Sequence, residues 1–338
     1  MMKIPVLTNR PALWITVLVC QLSFSGSVTA TRIDKDSLRN HKSYEWKTPI
    51  NLGPGVNSSA NDLAPALSKD GLTLYFSSTR LAGGFGGEDI WVSRRDPKTG
   101  EWGEPVNIGP IVNSVGMERV RYLSPDGRLL LFQSDRGQGE GGSDIWATTR
   151  KRIHDDSAWG PPINLGSVIN SPMNELGATY LFGNSGINHK LFISSNRPGG
   201  LGGADLYSSD IPDGGSFGVP VNLTELNSAS NDTCMSISSD GLEIIFSSNR
   251  PDLNNSMSAF DLWVSTRSSI FDAWSVPKNL GSTVNAEGFL DANPALSFDG
   301  TTLVFTSTRT NGLGGMDLYI STREKRLKLS ENVSLAIK

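Results

Sequence analysis

Short stretches of alternating apolar and polar residues, broken by glycine-rich turns, run along most of the chain. The segment "APALS" (64–68) is followed by "KDG" and then by "LTLYFSS". An Asp-Gly pair flanked by alternating apolar residues predicts a tight β-hairpin, and the same turn recurs as "PDG", "SDG" and "FDG". A Gly-rich loop comes next, then "DIWVSRR", whose β-branched and aromatic residues predict a third strand. After a turn such as "DPKTGEWG", the segment "PVNIG" predicts a fourth. Abundant glycine and proline favour many turns and hence many short strands, so the pattern predicts an all-β protein built from four-stranded units.

Five landmarks keep these units in step. An aromatic opens each copy: Trp46, Trp102, Trp159, Phe217 and Trp274, at steps of 56, 57, 58 and 57 residues. An asparagine follows (Asn57, Asn113, Asn170, Asn227, Asn285), then an acid (Asp62, Glu118, Glu175, Asp232, Asp291). An arginine is next (Arg80, Arg136, Arg197, Arg250, Arg309), and an aspartate closes the set (Asp89, Asp144, Asp205, Asp261, Asp317). The third copy carries a four-residue insertion near "GNSGINHK". Repeats of this period and content predict a β-propeller. The first copy begins with a fourth-strand segment, "TPINLG", and the last stops after a third strand, "DLYIST". Pairing the two closes a ring of five four-stranded antiparallel blades and hides two sheet edges.

The blades "ALSKDGLTLYFSSTR…GGFGGEDIWVSRR" and "YLSPDGRLLLFQSDR…GGSDIWATTR" resemble the WD-like repeats of TolB-type propellers, over about residues 46–323. Related envelope propellers are often fused to an OmpA-like domain; here residues 324–338 read as a short tail. The resemblance implies protein–protein interaction in the bacterial envelope or outside the cell, and names no ligand. The leading expectation is a monomeric, non-catalytic module without a cofactor that binds an envelope protein or a glycan.

The N-terminus adds a location. Lys3 and Arg10 precede an apolar run from Pro11 to Leu22, and Val28 and Ala30 fit a signal-peptidase site. Residues 1–30 therefore read as a signal peptide and 31–45 as an extension, with the product periplasmic or secreted. The apolar run is short for a membrane span. A net charge of −4 excludes nucleic-acid binding through a basic surface. Past the leader the chain holds one cysteine, Cys234, which cannot form an internal disulfide and reads as a small buried residue.

Candidate chemistry centres on the repeated charges. Each arginine ends a second strand and each aspartate of the opening "D-I-W" type begins the third. This predicts structural ion pairs Arg80–Asp89, Arg136–Asp144, Arg197–Asp205, Arg250–Asp261 and Arg309–Asp317. The acids Asp62, Glu118, Glu175, Asp232 and Asp291 enter the innermost strands and are expected as a carboxylate ring at the channel mouth, available to a cationic ligand or tied to neighbouring groups. Arg119, Arg121 and Tyr122 replace small or apolar residues of the other copies and are expected near the channel or a blade interface. The alternative to a binding module is a glycan-processing hydrolase using some of the ring acids, since glycosidases work with paired carboxylates. Three scattered histidines predict neither a histidine metal site nor a Ser-His-Asp set, and no catalytic residue is assigned.

Overall fold

The computed structural model describes residues 45–183, 188–212, 215–251 and 259–324. The expected signal peptide, the tail, part of the third-copy insertion and the loop at 252–258 lie outside the described residues. Five four-stranded antiparallel sheets form a β-propeller. The first blade comprises β2 (Asp62–Leu67), β3 (Thr73–Ser78), β4 (Asp89–Arg94) and β5 (Val106–Asn107). The second is β6 (Glu118–Leu123), β7 (Leu129–Ser134), β8 (Asp144–Thr149) and β9 (Ile163–Asn164). The third is β10 (Glu175–Leu181), β11 (His189–Ser195), β12 (Asp205–Ile211) and β13 (Val221–Asn222). The fourth is β14 (Asp232–Ile237), β15 (Glu243–Ser248), β16 (Asp261–Thr266) and β17 (Lys278–Asn279). The fifth combines β18 (Asp291–Leu296), β19 (Thr302–Ser307) and β20 (Asp317–Thr322) with β1 (Ile50–Asn51) from the other end of the chain.

Closure is the expected one. Ile50 pairs with Ile320 and Asn51 with Tyr319, and Lys47 N–H donates to Thr322 O at 2.9 Å. The landmark asparagine completes it. Asn57 receives the Leu318 N–H on its Oδ1 (2.8 Å) and donates to Leu318 O (3.0 Å). Asn113, Asn170, Asn227 and Asn285 clamp Ile90, Ile145, Leu206 and Leu262 in the same way. Each asparagine thus satisfies a strand's backbone in the preceding blade, a place where unpaired polar groups would be costly.

The second strands are apolar on both sides because blades pack face to face; Leu74, Tyr75 and Phe76 are fully buried. Apolar clusters straddle each junction, including the closing one, where Val56, Phe76 and Trp91 meet Val304 and Leu318. The repeated glycine pair belongs to the same packing. A Cβ on Gly86, Gly141, Gly202 or Gly314 would lie 2.3, 2.3, 1.8 or 1.8 Å from a carbonyl of the next blade's entry loop. The opening aromatics are also structural: Arg150, Arg267 and Arg323 lie 4.2–4.3 Å from the ring centres of Trp159, Trp274 and Trp46.

Candidate functional site

The five ring acids do not line an open mouth. Asp62, Glu118, Glu175, Asp232 and Asp291 are each 0% exposed. Each is bound by the repeat arginine of its own blade: Arg80–Asp62 at 2.5 Å, Arg136–Glu118 at 3.0 Å, Arg197–Glu175 at 3.1 Å, Arg250–Asp232 at 2.5 Å and Arg309–Asp291 at 2.6 Å. In four blades the serine four residues before the acid adds a hydroxyl hydrogen bond, from Ser58, Ser114, Ser171 or Ser228. A saturated, solvent-free carboxylate can neither dock a cation nor activate water, so the expectation of a ring open to a ligand is corrected and its alternative, acids tied to neighbouring groups, holds: the ring is a structural staple.

The expected arginine–aspartate pairs are corrected with it. Arg80, Arg136, Arg197, Arg250 and Arg309 turn to the first-strand acid, not to the third-strand aspartate. Asp89, Asp144, Asp205 and Asp317 instead accept backbone N–H groups of the Gly-rich loop, from Phe85 (2.5 Å), Glu140 (2.5 Å), Leu201 (2.6 Å) and Leu313. Asp261 receives Asn279 Nδ2 at 2.9 Å.

Below the acids, every innermost strand loses register. The shifts fall at Leu63/Ala66, Val120/Tyr122, Glu175/Gly177, Thr233/Met235 and Ala292/Ala295. Such bulges re-aim side chains, and Ala64, Cys234 and Asn293 adopt left-handed backbone there (φ 51, 42 and 53°). These segments meet at the channel waist around a void of about 10 Å³. Arg121 is the one charged residue of the waist lining. Its Nη1 donates to Asn293 Oδ1 (2.9 Å) and Cys234 Sγ (3.2 Å), and its Nη2 to Gln133 Oε1 (2.5 Å). Cys234, expected to be a buried apolar residue, is half-buried in this polar contact. Arg119 lies nearer the acids and forks onto Glu88 of the preceding blade, at 2.7 and 2.9 Å.

On the far side of the waist, the inner strands splay into a funnel of about 450 Å³. This face carries the Asp-Gly hairpin turns, so the cavity lies opposite the face that bears the acids and Gly-rich loops. Tyr122, Tyr180 and Phe182 form an aromatic wall, with ring centres 6.3 and 4.8 Å apart in sequence. His189 lies 5.7 Å from Tyr180. Burial pushes the Tyr122 hydroxyl well above the ordinary tyrosine range and raises that of Tyr180. Across the funnel, Lys69 Nζ sits 4.5 Å from the Phe298 ring centre. Asp126 is the lining carboxylate. The Ser124 hydroxyl (2.5 Å) and the Arg128 backbone N–H (3.1 Å) hold its carboxyl below the usual range, so it is ionised at neutral pH. Of the funnel's residues, sequence reasoning singled out Arg121 and Tyr122 as departures from the repeat. Tyr180, Phe182 and Asp126 were missed; Tyr180 and Phe182 flank the insertion, the available signal.

No protein-family profile matches the chain, and no curated protein matches it. Solved structures do. The propeller is similar to a thermostable family-43 glycoside hydrolase (TM-score 0.50, 11% identity, covering 84% of this chain and 100% of that one). It is also similar to the Bacteroides ovatus protein described as xyloglucan PUL GH43B (0.50, 13%, 80% and 53%) and to a putative TolB from Agrobacterium tumefaciens (0.45, 15%, 83% and 99%). These identities establish a shared fold. The expected five-bladed propeller is given by the sheets themselves. The two neighbours at a TM-score of 0.50 are described as a family-43 glycoside hydrolase and as GH43B, and the expectation of a non-catalytic interaction module is corrected accordingly.

Proposed function

We propose that this protein processes glycans, taking a sugar segment into the funnel and hydrolysing a glycosidic bond at its rim. The observation that carries this reading is the funnel: about 450 Å³, with an aromatic wall on one side and an ionised carboxylate on the other. Sugar rings lay their C–H faces on aromatic side chains while their hydroxyls seek polar partners. Asp126, the carboxylate of the funnel lining and ionised at neutral pH, is assigned the part of the base that draws a proton from water.

Glycoside hydrolysis takes a second carboxyl as proton donor. The hairpin turns of three other blades place Asp70, Asp240 and Asp299 one residue beyond the funnel-lining Lys69, Ser239 and Phe298. Against the effect of partial burial, the Ser68 hydroxyl and the Leu72 N–H hold Asp70 below the usual carboxylate range, so the donor in this reading is Asp240 or Asp299. The five buried acids are excluded, since each is already neutralised by an arginine. The likeness to the two family-43 proteins named above supports the reading; the site, not the fold, assigns the residues.

The test is release of reducing ends from a panel of plant, bacterial and animal polysaccharides. The folded protein is expected to cleave at least one, and Asp126→Asn to lose at least 100-fold in kcat with an unchanged circular dichroism spectrum. Absence of turnover across the panel overturns the reading, and full activity in the Asp126 variant removes that residue from the chemistry.

A further inference from the structure

We propose that the funnel floor is a carboxylate-binding site built on Arg121, and that the glycan taken by the funnel is acidic, presenting a uronate carboxylate to this guanidinium. The inference rests on the reading of the funnel as a glycan site and adds its substrate class.

Most interior arginines of the propeller hold an acid; among the described residues Arg121 and Arg267 do not, and Arg267 spends its guanidinium on Gly241 O and the Trp274 ring, away from the channel lining. Arg80, Arg136, Arg197, Arg250 and Arg309 each hold a carboxylate, as do Arg119, Arg150 and Arg323. Arg121 holds none among the described residues; its partners are an amide oxygen from Asn293, another from Gln133, and a thiol. A guanidinium has five N–H donors. Three contacts use three of them, and Nε is buried with no partner at all. A buried cation without a counter-charge is costly, and burial duly pushes the Arg121 guanidinium below the usual arginine range.

The position turns that cost to use. Arg121 lines the waist and the funnel at once, so it is both anchored by the channel and presented on the cavity floor. The corresponding residues of the other blades, three past the ring acid, are Pro65, Ala178, Met235 and Pro294. A single charge in a five-fold repeat marks one direction of approach. Lys69 on the funnel wall has the same sign. The acids Asp70, Asp126, Asp240 and Asp299 sit at the hairpin turns of the rim, so the pull on an anion is confined to the floor around Arg121. A planar carboxylate is the best fit, because the Nε–H edge with an adjacent Nη–H forms the fork that binds carboxylates in pairs.

Binding separates this inference from the reading beneath it. The intact protein is titrated calorimetrically with an oligogalacturonate, with a neutral oligosaccharide of equal length, and with citrate as a non-sugar carboxylate. Oligogalacturonate is expected to bind at least tenfold more tightly than the neutral oligomer, with the advantage shrinking in high salt. Arg121→Met should abolish that advantage while leaving the neutral oligomer's affinity within twofold. Arg121→Lys, which keeps the charge and loses the fork, should retain a part. Equal affinity for acidic and neutral oligomers in the unaltered protein overturns the carboxylate site and leaves the glycan reading standing. Citrate binding lost in Arg121→Met, with neither oligosaccharide bound, does the reverse. If Arg121→Met does not fold, the comparison of acidic and neutral oligomers in the unaltered protein still decides.

Discussion

The Asp291 carboxylate accepts the backbone N–H of Ala286 at 2.6 Å, at the point where four other blades also supply a serine hydroxyl. Asp291 is the ring acid whose carboxyl is pushed above the ordinary value; burial is the cause, outweighing Ala286 N–H, Ser307 and Arg309. Restoring the hydroxyl with Ala286→Ser is expected to stabilise the fold by about 1 kcal/mol, the net worth of one hydrogen bond. Urea denaturation at neutral pH checks it.

The same carboxyl gives a pH dependence. Its folded value lies above that of the unfolded chain, about 3.9 for aspartate. Between the two, the folded protein keeps a proton that the unfolded chain has released. The contribution from Asp291 is therefore complete below the unfolded value and is lost as pH rises through the folded one. Ala286→Ser should flatten this segment of the stability profile, and parallel denaturation series across the mildly acidic range would reveal the difference.

Arg250→Met leaves the Asp232 carboxylate buried without its partner and is expected to cost about 3–5 kcal/mol. Adding Asp232→Asn should recover a substantial part of that loss. A double-mutant cycle measures the coupling, and near-additive losses would contradict the staple.

Ring closure rests on few contacts at the chain ends. Asn57→Ala removes both hydrogen bonds to Leu318 and is expected to cost about 1–3 kcal/mol. Its distinguishing sign is local: amide exchange in β20 should accelerate more than in β8, where Asn170 makes the same clamp on Ile145 within the continuous chain.

Tyr180→Ala cuts the middle ring from the aromatic wall. Saccharide affinity is expected to fall about fivefold, the scale of one aromatic contact, with thermal stability changed little because Tyr180 is only partly buried.

The sequence by itself determined the propeller. Asp-Gly turns, the period near 57 residues and the unpaired segments at the two ends leave one arrangement that buries every apolar face and hides both edges. It also located Arg121 and Tyr122 as departures from the repeat. It could not choose the partner of each arginine, for a geometric reason: Ser78 faces Asp62 on one side and Asp89 on the other, so both acids lie equally near the strand end that carries Arg80. Tertiary packing chose. Arg80 lies over Phe76 and Trp91 and reaches Val56 O at 2.7 Å, and that orientation delivers Nη2 to Asp62. The funnel was decided at the same level. Bulges in the inner strands reset which residues face the channel, and a shift of one position in that register carries Arg121 to the waist and Tyr122 to the cavity wall.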